Sequence, residues 1–395
     1  MKVGYSVDDY QSRRNIINIV DHFDYVKVYN MYTVLYKLAI LNLKIMKYSI
    51  MNITDINYKF NDLDLNKVDL LHFINTISYG KTPWITTFET IVPRFRNTLS
   101  CHHGKYCDYS SVKKDSKILK ALETLCGNSC KKLIAISDCS LNIQKDFLSH
   151  FPEYLPEIES KLICLHPPQK ARIKNYENKQ LPLNGQIHFM FVGNDFFRKG
   201  GSEMLETFIE LRKSNHNNLK LTIVSSLATD NYSTITTKAE VEKTKEIIIK
   251  NSNWIDFYSY LSNSKVNEIM KSAHVGLLPT YADTYGFSVL EFQASGCPVI
   301  TTNVRALPEI NNNETGWIIE IPKNCLGEAI YTNIEDRNEI GRVIKKELVN
   351  VISEIMENRD LILSKANKAL KHIRDYHSPE EYSRKIGEIY HRALI

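Results

Sequence analysis

The strongest constraint on the fold of this chain is the repeated alternation of short apolar runs with longer stretches of helical periodicity. Strands that alternate with helices in this way form parallel sheets whose two faces are covered by the helices. The apolar runs that predict strands are Leu70–Asn75, Trp84–Phe88, Leu133–Ser137, Lys161–Leu165, Ile187–Val192, Leu219–Val224, Ile255–Tyr258, Val275–Leu278, Val299–Thr301 and Trp317–Ile319. We therefore expect an α/β protein with two doubly wound, Rossmann-like domains.

The boundary between these domains is predicted from a break in periodicity. A chain of 395 residues exceeds what one hydrophobic core usually serves. Residues 1–168 form the predicted N-terminal domain, and the aperiodic polar stretch 169–184 is typical of a linker. Residues 185–376 form the predicted C-terminal domain, and 377–395 predict a terminal helix that packs back on the N-terminal domain.

The eight cysteines indicate a reducing compartment, because their irregular spacing in a long chain is not that of a disulfide framework. We therefore expect free thiols and a cytoplasmic protein. One segment combines several cysteines with two histidines, which raises zinc binding as an alternative to buried free cysteine, although the paired spacing of common zinc sites is missing. Its members are Cys101, His102, His103, Cys107, Cys126, Cys130 and Cys139.

The longest apolar stretch, Val34–Ile53, is interrupted by Lys37, Lys44 and Lys47 and does not predict a spanning helix. Two interpretations remain open for it. One is an ordinary amphipathic helix, and the other is an interfacial helix whose lysines contact anionic lipid headgroups. We expect at most peripheral contact with the inner face of the plasma membrane, and no nucleic-acid partner.

A first group of candidate site residues follows the predicted strand Ile187–Val192. Gly193, Asn194, Arg198, Lys199 and Gly200 precede a helix that begins near Ser202. Backbone amides at a helix N-terminus favour an anion, and two cations beside flexible glycines strengthen that preference. The loop therefore predicts a diphosphate site, with a plain surface turn as the alternative.

A second group follows the predicted strand Val275–Leu278. Asp283, Tyr285 and Gly286 lie in the loop, and Phe287, Ser288 and Glu291 lie in the first turns of the next helix. Ligands of open α/β sheets bind at the carboxyl ends of the strands, which is where both carboxylates are expected.

Residues 185–325 resemble the donor-binding domain of the retaining GT-B glycosyltransferases called glycosyltransferase family 4, whose two acidic residues are separated by seven. This resemblance implies two Rossmann-like domains that face a cleft. It implies that Asp283 binds hydroxyls of the transferred sugar, that Glu291 binds the ribose, and that Arg198 and Lys199 hold the diphosphate. The expected catalytic residues are therefore these four. The other donor-binding residues are Gly193, Asn194, Gly200, Tyr285, Gly286, Phe287 and Ser288.

This sequence departs from the family pattern at three places. Asp283 stands where Glu is usual, Asn194 stands where many members have Arg, and Asn303–Pro308 lacks a glycine pair. On the acceptor side, Glu89 and His72 are candidates for contacting acceptor or sugar, with a structural hydrogen bond as the alternative for each. The triplet Asp62-Leu63-Asp64 is of the kind that carries a metal in the other main transferase fold, but its surroundings favour a turn.

The resemblance implies a retaining, metal-independent transferase without a cofactor that uses a nucleotide-sugar donor, such as a UDP-sugar or GDP-sugar. A glycan or lipid-linked glycan of bacterial surface polysaccharide (lipopolysaccharide, capsule or exopolysaccharide) is the expected acceptor. An epimerase or phosphorylase of the same fold remains an alternative. The second alternative is a degenerate, non-catalytic protein that binds a sugar nucleotide.

Overall fold

The computed structural model describes residues 1–46, 53–102, 104–179, 185–214 and 216–395. In these ranges the chain divides into two compact units. Unit 1 comprises Met1–Pro168 and Pro379–Ile395, and unit 2 comprises Gln169–Ser378.

Unit 1 is built from parallel strands and short helices. Its strands are β1 (Lys2–Tyr5), β2 (Asp24–Lys27), β3 (Lys59–Phe60), β4 (Leu70–Ile74), β5 (Ile77–Ser78), β6 (Trp84–Phe88), β7 (Cys130–Ala135) and β8 (Leu162–Cys164). Its first seven helices are α1 (Tyr10–Asn15), α2 (Met31–Met46), α3 (Ile53–Asn57), α4 (Arg96–Ser100), α5 (Ser116–Cys126), α6 (Asp138–Ser149) and α7 (Leu155–Lys161). Six strands form one parallel sheet in the order β2-β1-β4-β6-β7-β8, and β3 pairs with β5 beside it.

The helix α5 shows how local sequence sets an element of unit 1. The Asp115 side chain accepts a hydrogen bond from the Lys117 N–H and caps the first turn. Apolar residues at helical spacing bury one face, which packs toward the sheet. These are Ile118, Ala121, Leu122 and Leu125.

Unit 2 repeats the alternation of strand and helix. Its strands are β9 (Ile187–Val192), β10 (Leu219–Val224), β11 (Ile255–Tyr258), β12 (Val275–Leu278), β13 (Val299–Thr302) and β14 (Trp317–Ile319). Its helices are α8 (Gly201–Lys213), α9 (Lys238–Lys250), α10 (Asn263–Ser272), α11 (Phe287–Ala294), α12 (Leu307–Ile310), α13 (Ile334–Glu357) and α14 (Asp360–Tyr376). The parallel sheet has the order β11-β10-β9-β12-β13-β14, which is the doubly wound Rossmann order.

The last helix, α15 (Pro379–Ala393), packs on the sheet of unit 1. Its buried side chains Tyr382, Ile386 and Tyr390 join a core cluster that includes strand residues Val3 and Leu70. The Tyr382 hydroxyl also donates a hydrogen bond to the Asn15 carbonyl at 3.1 Å. The sheet of unit 1 is therefore covered in part by the residues that follow unit 2 in the sequence.

All ten predicted strands are confirmed, six of them at their exact bounds, and the ends of the other four (β4, β7, β8 and β13) shift by one to three residues. The shift is largest at β7, which begins at Cys130 instead of Leu133. Lys131 and Lys132 are only partly buried there, so the apolar run marks the buried half of the strand and not its start. All eight cysteines are free thiols.

Candidate functional site

The predicted donor residues lie at the carboxyl edge of the sheet in unit 2. The order of the strands reverses between β9 and β12, which are neighbours. The loops that follow these two strands therefore meet at the position where doubly wound sheets bind their ligands. Residues 193–200 form the first loop and 279–286 the second.

Glycines shape the first loop. A Cβ atom on Gly193 would lie 2.4 Å from Lys199 Cδ, so the missing side chain makes room for the lysine. Gly200 has φ of +74°, and a Cβ there would lie 1.9 Å from the Pro279 carbonyl oxygen. Only glycine satisfies both the left-handed backbone and this close approach. The loop thus presses against the second one and returns Lys199 to the sheet edge.

Hydrogen bonds join the two loops. The Tyr281 N–H donates to the Arg198 carbonyl at 2.9 Å, and Thr280 Oγ1 donates to the same oxygen at 3.2 Å. The Tyr281 hydroxyl donates to Glu203 Oε1 in α8 at 2.8 Å. Burial raises the pKa of this glutamate. Because both loops are fixed to each other and to α8, the side chains they carry are held in place before any ligand binds.

Asp283 is the centre of charge in this site. Lys199 Nζ lies 3.3 Å from its Oδ2, and its Oδ1 accepts hydrogen bonds from the Gly286 N–H at 3.0 Å and the Tyr285 N–H at 3.3 Å. Burial acts to raise the pKa of Asp283, but the Lys199 ammonium and the Tyr285 N–H together hold that pKa below its ordinary value. The carboxylate is therefore ionised at neutral pH and can accept hydrogen bonds from sugar hydroxyls.

Arg198 and Asn194 lie at the outer side of the first loop. Arg198 forms an ion pair with Asp195, three residues earlier, and its side chain is about one-third exposed. Its Nε is buried and has no hydrogen-bond partner among the described residues. Asn194 contributes its carbonyl, which accepts a hydrogen bond from Ser226 Oγ at 2.5 Å, while its own side chain is exposed. The guanidinium thus retains a donor for an anionic ligand.

The second loop ends at the start of α11. Gly286 has φ of +89° and directly precedes the first helical residue, Phe287. Ser288 Oγ is buried and makes no hydrogen bond within the described chain. The Tyr285 ring is 1% exposed and packs on the Phe287 ring, with centroids 5.1 Å apart, so Tyr285 reaches the site through its backbone. A buried hydroxyl at a helix N-terminus is suited to a phosphate oxygen.

Glu291 lies one turn into α11 and faces an arginine that sequence reasoning missed. Arg172 Nη2 is 3.8 Å from Glu291 Oε1, and Arg172 Nη1 donates to the Glu291 carbonyl at 3.1 Å. The Arg172 N–H also donates to the Ala294 carbonyl at 2.8 Å. Arg172 belongs to the stretch interpreted as a linker, and no periodicity or motif there indicates a role in the site.

The segment that follows β13 contains a non-glycine residue in the left-handed backbone region. Arg305 has φ of +51° although it is not glycine. Its side chain is buried and forms an ion pair with Glu328 Oε1 at 3.1 Å, and its N–H donates to the Gly327 carbonyl at 2.8 Å. These contacts hold Arg305 in its left-handed conformation. Sequence analysis did not place this residue in the site.

Glu89 lies in unit 1 at the carboxyl end of β6. It lines a cavity of about 450 Å³ together with Tyr5, Gln11 and Asn75. Asn75 Nδ2 donates to Glu89 Oε2 at 3.2 Å, Gln11 Nε2 donates to Oε1, and Arg94 lies 3.5 Å from Oε2. This polar cavity at the sheet edge has the size and hydrogen-bonding groups for part of a sugar.

His72 is fully buried and also lines this cavity. Its Nδ1 is 2.7 Å from the Tyr390 hydroxyl in α15, and its Nε2 is 2.9 Å from Thr87 Oγ1. Burial lowers the pKa of His72 to about 3, so the ring is neutral. Both ring nitrogens are thus engaged in holding α15 against β4 and β6.

The two sequence-based metal alternatives have different surroundings in the structure. Asp62 and Asp64 form a turn in which Asp62 Oδ1 accepts the Asp64 N–H at 3.1 Å, and Leu63 and Asp64 have positive φ. In the described part of the cysteine-rich segment, neither the five cysteines nor His102 contribute to a cluster of three metal ligands. His103 lies outside the described residues.

No helix among the described residues has both the length and the hydropathy needed to cross a bilayer. The described part of the apolar stretch is α2, which ends at Met46. Lys47 lies outside the described residues.

Comparison with known proteins finds similarity between unit 2 and glycosyltransferases. The sequence profile of the family Glycosyl transferases group 1 matches residues 173–350. The capsular polysaccharide biosynthesis glycosyltransferase CapM of Staphylococcus aureus is 30% identical over 182 residues, which is 43% of each chain. The lipopolysaccharide glucosyltransferase WaaG of Escherichia coli is 26% identical over 185 residues, which is 44% of each chain. The chain thus aligns with less than half the length of these two relatives.

Solved structures resemble the chain over nearly its whole length. The crystal structure of WaaG superposes with a TM-score of 0.55 at 16% identity and covers 98% of this chain and 99% of its own. Anabaena HepE, solved in complex with UDP, superposes with a TM-score of 0.58 at 11% identity and covers 99% of both chains. At such identities the likeness concerns the fold, which is that of two Rossmann-like domains as in GT-B glycosyltransferases.

Proposed function

We propose, from the match of residues 173–350 to the family Glycosyl transferases group 1, that the chain transfers a sugar from a nucleotide-diphosphate donor to a glycan or lipid-linked acceptor. Unit 2 binds the donor and unit 1 binds the acceptor. The observation that carries the proposal is the Lys199–Asp283 ion pair at the β9/β12 edge, between two glycine-shaped loops.

In this proposal, Lys199, Arg198 and Ser288 bind the diphosphate. The ammonium and the guanidinium are cations at the N-terminus of α8, where the helix dipole also favours an anion. Ser288 Oγ and Arg198 Nε are buried without a partner among the described residues, so a phosphate oxygen satisfies donors that are otherwise unpaired. Binding the donor also gives Lys199 a second anion beside Asp283.

The reaction breaks the bond between the anomeric carbon and a diphosphate oxygen. Cations and amides that are already in place stabilise the charge on the departing nucleotide, which is a large catalytic effect in a site shielded from water. The acceptor oxygen attacks on the face that the diphosphate leaves, and the acceptor proton passes to the diphosphate. This course retains the anomeric configuration and needs no metal ion.

Asp283 and Glu291 orient the two sugars of the donor. Asp283 binds hydroxyls of the transferred sugar, and its shorter side chain is compensated by the Tyr285 and Gly286 amides that fix it. Glu291 binds the ribose, with Arg172 holding its carboxylate. Because HepE is known with UDP and UDP-glucose, a UDP-sugar is the donor to test first.

Glu89 is the acceptor-side residue that the geometry favours. Glu89 and His72 both line the cavity in unit 1, but both ring nitrogens of His72 are engaged by Tyr390 and Thr87, so in this proposal its ring acts as support. The names of CapM and WaaG refer to capsule and lipopolysaccharide, which supports a bacterial surface polysaccharide as the acceptor class.

The helix α2 supports peripheral contact with an anionic membrane. Val34, Leu38 and Leu41 lie at helical spacing and are each about half exposed. Lys37 and Lys44 are exposed on the same side of this helix. Sedimentation with anionic vesicles tests this contact: Lys37→Glu with Lys44→Glu should reduce binding, and unchanged sedimentation would rule it out.

Calorimetric titration of UDP, GDP and ADP tests the donor site. One nucleotide should bind the wild type well, and Glu291→Ala should weaken it by about 1–3 kcal/mol, the value of a charged hydrogen bond. The control is Glu210→Ala, on the exposed face of α8. If no nucleotide binds, the donor site is degenerate and the transferase proposal is contradicted. If donor is consumed without acceptor, an epimerase or phosphorylase replaces the transferase.

A further inference from the structure

Three side chains of the metal-ligating types lie together in unit 1, outside the proposed donor and acceptor sites. They are Asp138, Cys164 and His166. One ligand atom from each lies within 4.8 Å of the other two. None of the five cysteines between positions 101 and 139 belongs to this cluster.

The parallel pairing of β7 with β8 brings these residues together. Ala135 at the end of β7 pairs with Cys164 at the end of β8. The chain then passes from β7 through the helix cap Ser137 to Asp138, the first residue of α6. Two segments that are 26 positions apart in sequence, counted from Asp138 to Cys164, therefore meet at one carboxyl edge.

Cys164 and His166 face the same side because they are two positions apart in an extended segment. The Leu165 N–H donates to the Ala135 carbonyl at 2.9 Å, which continues the strand pairing one residue beyond β8. The Cys164 Sγ and His166 Nε2 atoms are 3.9 Å apart. Ligand atoms around a tetrahedral zinc ion are about 3.3–3.8 Å apart by the usual bond lengths, so side-chain rotation alone brings the three atoms into position.

The chemistry of the three donors selects among metals. A thiolate with an imidazole and a carboxylate is a typical set of zinc ligands, whereas magnesium and calcium prefer oxygen alone. Imidazole binds zinc through a ring nitrogen, and His166 Nε2 lies beside Cys164 Sγ. Asp138 is exposed, which leaves an entry path and space for a water molecule as fourth ligand.

We propose that Asp138, Cys164 and His166 bind one zinc ion in unit 1. The ion joins the end of β8 to the start of α6, just before the chain leaves unit 1 at Pro168. Its role is structural, since none of the three residues belongs to the proposed donor or acceptor sites. The proposal stands independently of the transferase function.

Titration of the metal-free full chain with Co²⁺ and then Zn²⁺ tests this site. One Co²⁺ per chain should give a thiolate-to-cobalt charge-transfer band that Zn²⁺ removes, and Cys164→Ser should abolish the band. Asp138→Asn, a conservative change at an exposed position, should keep the band and weaken Zn²⁺ binding at least about tenfold. Zn²⁺ should raise the unfolding temperature of the wild type more than that of either variant.

Two matched controls assign the thiolate. Cys139→Ser changes the cysteine next to Asp138, and Cys126→Ser changes one in α5; both variants should keep the band and the wild-type Zn²⁺ affinity. A band that persists in Cys164→Ser, a band lost in Cys139→Ser, or wild-type protein without stoichiometric binding would each overturn the proposal. Donor-nucleotide affinity should be the same with and without zinc.

Discussion

Lys199 Nζ lies 3.3 Å from Asp283 Oδ2, so an ion pair joins the two loops that end β9 and β12. Both side chains are mostly shielded from water, with 16% and 17% of their surface exposed. A shielded pair keeps its geometry better than an exposed one, and the electrostatic interaction is screened less by salt. In the proposed function, this pair supplies a cation for the diphosphate and a carboxylate for the sugar hydroxyls.

Removing the Lys199 ammonium should weaken donor binding. Lys199→Ala deletes a charged hydrogen bond to the diphosphate, which contributes about 1.5–3 kcal/mol. The dissociation constant for the nucleotide should therefore rise roughly 10- to 150-fold in calorimetry. Lys213→Ala, at the exposed end of α8, is the control and should bind as the wild type does. Equal affinities of both variants would remove Lys199 from the site.

Substitution by alanine should change stability to different extents at Gly200 and Gly185. Gly200→Ala places a Cβ 1.9 Å from a backbone oxygen and should lower the free energy of unfolding by about 2–4 kcal/mol. Gly185→Ala has a similar φ of +69° but no atom of the described residues within 4 Å, so it should cost about 1–2 kcal/mol. Urea unfolding measures the difference.

Gly193→Ala should affect binding more than stability. The new Cβ meets only the flexible Lys199 side chain, which can move away. Its displacement should lower nucleotide affinity while the urea midpoint stays close to that of the wild type. A large loss of stability would show that the loop, and not the lysine, needs this glycine.

Ser288→Ala should separate binding from folding. The buried Oγ has no partner in the described chain, so its removal should leave the free energy of unfolding unchanged or higher. Nucleotide affinity should fall by about 1 kcal/mol. Ser137→Ala provides the opposite pattern, because this serine caps α6 in unit 1: stability should fall by about 1 kcal/mol with unchanged affinity.

Glu89→Gln should lower sugar transfer and leave nucleotide affinity intact. The change removes the charge from the cavity in unit 1, and loss of a charged hydrogen bond corresponds to roughly 10- to 150-fold in rate. The exposed Glu123→Gln in α5 is the matched control. Unchanged turnover in Glu89→Gln would remove the acceptor-side role.

Buried histidines should make the protein sensitive to acid. Burial lowers the pKa of His188 and of His274 to about 4. In the unfolded chain these histidines take up protons near pH 6.5. Their contribution to the free energy of unfolding is therefore fully present above that pH and is lost as the pH drops toward 4. Each histidine lowers the free energy of unfolding by up to about 1.4 kcal/mol for each pH unit of this drop. His188→Gln should flatten the pH dependence of urea unfolding, and His391→Gln, exposed on α15, should not.

Sequence patterns were sufficient for the strands whose side chains are buried and insufficient for the others. The central strand β9 is predicted at its true bounds because all its residues except His188 are apolar. In contrast, β2 is an edge strand with mostly exposed side chains. Because it begins with Asp24 and ends with Lys27, its sequence does not differ from that of a polar loop. Hydrophobic periodicity reports burial, and an edge strand buries too little to produce it.

The candidate site shows the same distinction. Asp283, Glu291 and Lys199 occur in motifs with a recognisable spacing, whereas Arg172 reaches Glu291 from an aperiodic segment. The cluster of Asp138 with Cys164 and His166 depends on which strands are neighbours, and a single sequence does not contain that information. Contacts between segments that are distant in sequence were therefore visible only in the structure.

The return of α15 to unit 1 has a consequence for the order of folding during synthesis. A ribosome completes unit 2 before it adds residues 379–395. Until then, the apolar surface of Leu70, Ile85 and Ile134 lacks the helix that covers it. Unit 1 is therefore begun before unit 2 and completed after it. Its uncovered apolar surface must avoid non-native contacts while the more than two hundred residues of unit 2 are synthesised.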